Sequence, residues 1–419
     1  MLRSFHHKSE LLNTISVQHE SSMENLQLVE EIISSVRDHG DEALIEFSQK
    51  FDRILLDDIK VNIPSIKIEE SALKSAIQQS SENIKAFHRK QMPKPIDHLQ
   101  EDGTNVSLKW RSIKKVGVYI PGGNYPLLST VLMNVIPAQV AGVEKIIVCT
   151  PPQSNGEIDP LILAVCQYLG IQDIYCIGGA QAIAALAYGT ETIPKVNKIV
   201  GPGNRYVAAA KQYVSNRVGI DMVAGPTELV VIADKSANPT FIASDLISQA
   251  EHDKDAFTFL LSTDKNIIEN TKSEIFRLLK TLKTKNTATE SFINNGFAFL
   301  ADSLAECIKI SNQIAPEHLS IQTVDSDTLS DKCIAGAIFI GEKTPVAWGD
   351  YWAGPNHTLP TSGTAQYRGL LNVLDFLVPY SVTTANNNQQ SIQAISTMAE
   401  AEGLMGHALS ANLRIGDKS

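Results

Sequence analysis

Cysteine is scarce and scattered. The chain has 419 residues and five cysteines (Cys149, Cys166, Cys176, Cys307, Cys333), an odd number with no Cys-x-x-Cys spacing. Neither a disulfide framework nor a thiolate zinc cluster is supported. Basic charge is also short: 36 Lys and Arg stand against 46 Asp and Glu, a net charge of −10. A general nucleic-acid binder needs a basic footprint, so this balance argues against that class. No run approaches the ~18 consecutive apolar residues of a membrane helix, and residues 1–20 hold no hydrophobic core of a secretory signal. Glycine (25) and proline (18) stand at ordinary levels, and 43% of residues are hydrophobic, which excludes collagen-like repeats and general disorder. A cytoplasmic soluble enzyme is expected, of a length that suggests about three domains.

Residues 1–103 read as helical. Leu26, Val29, Ile32, Ile33 and Val36 follow helical spacing, Gly40 is a good stop and Asp41 a good restart before Ala43, Leu44, Phe47 and Phe51. A second helical pattern covers 69–90, and 91–103, with Pro93 and Pro95, reads as a linker. From 116 the texture alternates. β-rich runs at 116–120, 145–149, 173–177, 198–200 and 228–233 are separated by helical stretches at 130–141, 161–169, 180–188 and 205–218. A second set has helices at 239–252 and 266–282 and strands at 257–262, 297–300 and 337–341. The alternation predicts an α/β chain with two Rossmann-like parallel-sheet modules, 104–235 and 236–347, after an amino-terminal helical segment 1–103. Residues 348–419 read as a loop followed by a small helical tail over 389–407.

Three turns follow strands: Tyr119-Ile120-Pro121-Gly122-Gly123, Gly178-Gly179-Ala180-Gln181 and Gly201-Pro202-Gly203-Asn204. Singly, each reads as an ordinary strand-to-helix turn; in succession, with hydrogen-bonding side chains Tyr119, Gln181 and Asn204, they point to a nucleotide. At the end of the helix that Asn238 and Pro239 begin stand Gln249 and His252, three apart and on one face. That spacing suits two donors to one cation, and equally a histidine at a helix C-terminus. Four histidines follow residue 100, His252, His318, His357 and His407, and a site of Gln249, His252, Asp350 and His407 would offer nitrogen and oxygen ligands with one carboxylate and no thiolate. Glu317-His318 sets a carboxylic acid beside an imidazole, either a surface pair or two proton-handling groups, His318 near its ordinary pKa and Glu317 shifted.

Taken together the motifs resemble the histidinol dehydrogenase family. They run in order: Val-Gly-Val-Tyr119-Ile-Pro-Gly-Gly, Gly-Gly-Ala-Gln181, Gly-Pro-Gly-Asn204, Ala-Gly-Pro-Thr227-Glu, Ser-Gln249-Ala-Glu-His252, Ala-Pro-Glu317-His318-Leu, Gly-Asp350-Tyr, Gly-Pro-Asn-His357, and Glu402 five residues before His407. The resemblance implies oxidation of L-histidinol to L-histidine through L-histidinaldehyde with two NAD⁺, the last steps of histidine biosynthesis, in a homodimer with one zinc per subunit. Carried over by motif, Gln249, His252, Asp350 and His407 would hold the zinc, and Glu317 and His318 would be the catalytic acid–base residues. Tyr119, Gln181 and Asn204 would contact NAD⁺. Thr227, Gln249, His252, His318, Asp350, Glu402 and His407, with His357 as a further candidate, would bind substrate. Residues 348–419 would complete the site of the partner subunit through Glu402 and His407. Thr227 stands where the motif often has serine, which keeps the hydroxyl and adds a methyl. The alternative is a related NAD-dependent dehydrogenase on the same scaffold, acting on another amino alcohol or a diol.

Overall fold

Short runs rich in Val and Ile become the strands of two parallel sheets, and the apolar stretches between them become crossover helices. The computed structural model describes residues 2–5, 10–11, 26–61, 71–122, 125–386 and 388–414. The chain falls into two compact units, Met1–Gln91 with Ile113–Phe376, and Met92–Ser112 with Leu377–Ser419. The described chain opens with β1 (Arg3–Phe5), α1 (Leu26–Phe47), α2 (Ala72–Arg89), β2 (Ile96–Leu99) and β3 (Asn105–Ser112).

The first parallel sheet contains β4 (Lys115–Tyr119), β5 (Lys145–Thr150), β6 (Asp173–Cys176), β7 (Lys198–Val200) and β8 (Gly219–Ile220). Its crossovers are α3 (Leu128–Val140), α4 (Pro160–Tyr168), α5 (Gly179–Tyr188) and α6 (Arg205–Val214). In space the order is β6-β5-β4-β7-β8, so the strand sequence reverses direction between β4 and β7. Helix α1 packs on α5 and α6, and α2 on α3.

The second sheet contains β9 (Glu228–Ala233), β10 (Phe257–Ser262), β11 (Gly296–Leu300), β12 (His318–Gln322) and β13 (Ala337–Ile340). Between them run α7 (Pro239–Ala250), α8 (Lys265–Leu279), α9 (Lys285–Asn295), α10 (Leu304–Ile314) and α11 (Ser326–Ser330), and α12 (Ala347–Tyr351) follows β13. The order β1-β11-β10-β9-β12-β13 repeats the first sheet's pattern, with its reversal between β9 and β12. Alternation along β9 divides the core. Leu229, Val231 and Ala233 face a cluster with Leu246, Ile275 and Phe292, while Val230 and Ile232 face Cys307, Ile310 and Ile314 of α10.

The two Rossmann-like modules are therefore present, with corrections. The strand at 228–233, expected in the first module, pairs with β10 and β12 in the second sheet. The helical amino-terminal stretch contains β1, which adds in parallel to β11, and the expected linker 91–103 contains β2. The start of the second helical pattern, near residue 69, lies outside the described residues. In the second unit β14 (Leu377–Thr384) pairs antiparallel with β3, and β3 with β2, a sheet the sequence reading did not contain. The tail is two helices, α13 (Gln389–Ala401) and α14 (Met405–Asn412), separated at Gly403 (φ 76°).

Gly40 does interrupt α1, at φ 55° and ψ −129°. A Cβ there would fall on the carboxylate of Glu191, which accepts the Asp41 N–H at 2.9 Å. The backbone angle demands glycine, and a Cβ would also displace the Glu191 carboxylate from the Asp41 N–H. Gly40→Ala is expected to destabilise the fold by roughly 1–3 kcal/mol; an unchanged urea midpoint would contradict this.

Candidate active site

Glu317 and His318 stand at the reversal point of the second sheet. Helix α10 ends at Ala315, whose left-handed φ of 45° turns the chain through Pro316 into β12. Glu317 thereby lies beside Thr227 and Glu228 at the start of β9. The Thr227 hydroxyl donates to Glu317 Oε2, and the Glu228 N–H donates to the same oxygen at 3.0 Å. Neither of these bonds uses the other carboxylate oxygen, Oε1. His318 Nδ1 lies 3.2 Å from the Glu228 carbonyl and 3.5 Å from Glu317 Oε2. A proton on Nδ1 is held by that carbonyl, so Nε2 is the nitrogen that exchanges protons.

Burial pulls the His318 imidazole down, but the charge and hydrogen bond of Glu317, the charge of Asp350 and the Glu228 carbonyl outweigh it and hold it at about 9. The imidazole is thus a shifted group, not one near its ordinary value as the sequence suggested. Such a group stabilises the fold fully below its unfolded pKa of ~6.5, and the contribution is lost as pH rises through about 9. Metal-free protein is expected to lose stability across that window. His318→Gln should flatten this part of the profile, and an equally steep variant profile would refute the assignment.

Helix α7 delivers two more residues to the same place. Asn238 caps it, accepting the Thr240 N–H at 2.9 Å, and Pro239 occupies its first turn. Its C-terminal end returns to the amino edge of the second sheet, bringing Gln249 and His252. The Gln249 amide NH₂ donates to the Thr227 hydroxyl, which itself donates to Glu317. Gln249 therefore keeps its amide oxygen for a cation. Asp350 of α12 contacts His357, Nδ1 to Oδ1 3.5 Å. Burial raises its carboxyl, but the hydrogen bond and charge of His357, with the charges of His318 and His252, bring it net below the ordinary carboxylate range. His357 is aimed by its neighbour Asn356, which donates to the Met133 carbonyl at 2.6 Å and accepts the Thr358 N–H at 2.8 Å.

An amide oxygen, an imidazole and an ionised carboxylate form a donor set that suits a borderline cation such as zinc. The helix adds to the fit, because the C-terminal end of α7 carries partial negative charge. Among the described residues no three His, Cys, Asp or Glu converge on a point. This chain's set here is one histidine, one aspartate and one glutamine.

The glycine turns occupy the carboxyl edge of the first sheet. Tyr119 ends β4 and accepts the Gly179 N–H on its hydroxyl at 3.1 Å; burial raises that hydroxyl to about 12. Gln181, buried in the first turn of α5, lies against Gly179, where a Cβ would meet its Oε1 at 2.6 Å. Asn204 follows β7 and caps α6 through its oxygen, accepting from Tyr206 and Val207 at 3.0 and 3.1 Å. Its NH₂ stays available. Tyr119 and Asn204 thus flank the reversal point between β4 and β7, and the partial positive charge of the α6 N-terminus lies there. Gly123 lies outside the described residues. A cavity of about 110 Å³ joins the two reversal points, lined by Pro202, Gly203, Asp221, Thr227, Glu317 and His357.

The chain is similar to known proteins over nearly its whole length. A family model for histidinol dehydrogenase matches residues 16–415. A histidinol dehydrogenase from Synechococcus sp. is 44% identical over 92% of this chain and 91% of its own length. One from Listeria monocytogenes is 43% identical over 98% of each chain. The chain belongs to the histidinol dehydrogenase family. It is accordingly an NAD-dependent oxidoreductase of histidine biosynthesis. The crystal structure of a histidinol dehydrogenase from Elizabethkingia anophelis matches with a TM-score of 0.87 and 40% identity, covering 93% of this chain and 92% of that one.

Not every motif residue of the histidinol dehydrogenase pattern meets the others within the first unit. Glu402 and His407 belong to the second unit, Glu402 directly after α13 and His407 in α14, and both are exposed. In the other direction, Glu228 was missed. It is 1% exposed, and its backbone holds Glu317 and His318 while its carboxylate accepts the N–H groups of Glu317 (3.3 Å) and Ser362 (3.0 Å). Its place in Ala-Gly-Pro-Thr-Glu was the only signal.

Proposed function

We propose that L-histidinol binds between the reversal points of the two sheets, with Glu317 and His318 handling protons and Tyr119, Gln181 and Asn204 contacting NAD⁺. The observation that carries the reading is the meeting of Glu317, His318, Thr227 and Gln249 beside a cavity that reaches the Gly201-Pro202-Gly203-Asn204 turn.

His318 Nε2 accepts the proton of the substrate hydroxyl as hydride leaves the carbinol carbon for the nicotinamide. The aldehyde stays bound, which keeps a reactive carbonyl from water outside the site. Glu317 then takes a proton from water as the water oxygen adds to the aldehyde carbon, and His318 returns its proton to the carbonyl oxygen, giving a hydrate and a neutral imidazole. His318 accepts a proton from the hydrate while the hydrate carbon gives a second hydride to a second NAD⁺, leaving the carboxylic acid of L-histidine, which releases its remaining proton to solvent as the carboxylate. Thr227 and Glu228 keep Glu317 turned by occupying one of its oxygens, so the other faces water.

Gln249, His252 and Asp350 would hold one zinc per subunit. Bound there, the metal would anchor the substrate's nitrogens and so orient the carbinol carbon. We assign the remaining ligand to His407 of a second copy, with Glu402 beside it as a substrate contact, in a homodimer with shared sites. The apolar surface of the second unit supports a partner: Met398, Met405, Leu409 and Leu413 are 59–69% exposed. Thr227 and His357 complete the substrate pocket. The domain divisions 104–235 and 236–347 are read with β9 moved to the second module, and the site is placed in the cytoplasm, where five unpaired cysteines are at home. Among the described residues no helix is long and apolar enough to cross a membrane.

The test is the NADH yield per L-histidinol consumed. A yield close to two supports the four-electron sequence. A yield close to one, with aldehyde accumulating, would contradict it.

A further inference from the structure

Beneath the turn 201–204, a lysine and an aspartate withdrawn from solvent meet. The side chains of Lys211 and Asp221 are 2% and 0% exposed and form an ion pair. Lys211 Nζ donates to the Gly201 carbonyl at 3.0 Å, and the Gly201 N–H donates to Asp221 Oδ2 at 2.8 Å. Both backbone polar groups of Gly201 are therefore held by one charge pair. Gly201 sits at φ 110°, and a Cβ there would fall on the Tyr119 carbonyl oxygen. The backbone at this point is close to its neighbour strand and in a conformation other residues avoid. Asp221 Oδ1 also accepts the Met222 N–H at 2.6 Å, fixing the start of the 221–227 connection that leads to Thr227.

A buried ion pair is weak evidence for stability, because desolvation offsets its Coulomb attraction and apolar pairs of similar volume often serve as well. Its geometry is what distinguishes this one: each charge is spent on the same glycine. We infer that Lys211 and Asp221 are positioning residues for NAD⁺. They set the conformation of the turn that presents Asn204, and they fix the cavity wall formed by Pro202 and Gly203. The inference rests on the reading of Asn204 as an NAD⁺ contact.

The experiment compares Lys211→Met/Asp221→Leu with the parent enzyme and with Asn204→Ala. The double variant removes both charges and leaves neither unpaired. Its thermal midpoint is expected to fall, because the Gly201 N–H and carbonyl and the Met222 N–H lose their partners, while it still folds and its zinc content stays near that of the parent. Its KM for NAD⁺ is expected to rise at least ~10-fold, and its KM for L-histidinol to stay within about threefold. A folded double variant with an unchanged KM for NAD⁺, or with both KM values raised together, overturns the inference. If Asn204→Ala raises the NAD⁺ KM while the double variant does not, the positioning role alone fails. If Asn204→Ala leaves it unchanged, the nucleotide reading fails and the inference with it. Should the double variant not fold, Lys211→Met/Asp221→Asn is judged by the same two KM values.

Discussion

Glu317→Gln is expected to lower turnover of L-histidinaldehyde by ~10²–10⁴, the usual worth of a positioned general base, and to lower the alcohol oxidation much less. Glutamine is close in shape, and its amide oxygen can still accept from Thr227 and the Glu228 N–H, which now meet Glu317 Oε2. The arrangement should survive while the capacity to take a proton from water is lost. A second effect follows from charge. The Glu317 carboxylate is the leading cause that raises the His318 imidazole, so its removal should let that imidazole fall from about 9. The acid limb of the alcohol step, which needs neutral His318, should then move to lower pH. Equal losses with alcohol and aldehyde, and an unmoved acid limb, would refute the division of roles.

The second large effect concerns the cation. His252→Ala or Asp350→Ala is expected to remove bound zinc, since each takes a ligand from a set that has no thiolate to compensate. Full metal occupancy by elemental analysis in both variants would refute the site. If His407 serves its partner, His407→Ala should also empty the metal sites. Hybrid dimers pairing His407→Ala with His318→Ala should regain activity, because one of their two sites then contains an intact set from both chains. Verified hybrids with no activity would count against sharing.

Much of the fold was legible for one physical reason. Strands buried on both faces of a parallel sheet are mostly apolar runs, as in Glu228–Ala233 and Phe257–Ser262, all of whose residues are buried. Strand β12 escaped because its inner face is polar: Ser320 and Gln322 are 0% and 2% exposed, and Gln322 Nε2 donates to Asp245 at 3.0 Å. Partners that satisfy buried polar groups leave no mark in local sequence. Strand β14 escaped for the opposite reason, since seven of its eight residues are exposed and its partner β3 lies far away in the chain.

The candidate site was legible by motif and not by geometry. Ligands were expected beyond the carboxyl ends of strands, which fits Tyr119 and Asn204 in the first sheet. In the second sheet Thr227 and Glu317 precede β9 and β12, at the amino edge. The 221–227 connection runs from the end of β8 directly into the start of β9, so one sheet's carboxyl edge adjoins the other's amino edge. Helix N-termini then surround the proposed nucleotide position, and the C-terminal end of α7 faces the proposed cation. These opposite dipole ends suit a pyrophosphate and a divalent metal respectively.

The most direct measurement is the position of zinc by anomalous scattering at its absorption edge, in crystals of the loaded enzyme. The account predicts one peak per subunit, about 2.0–2.2 Å from Gln249, His252 and Asp350 and from His407 of the partner subunit. A peak that touches none of Gln249, His252 and Asp350 would contradict it.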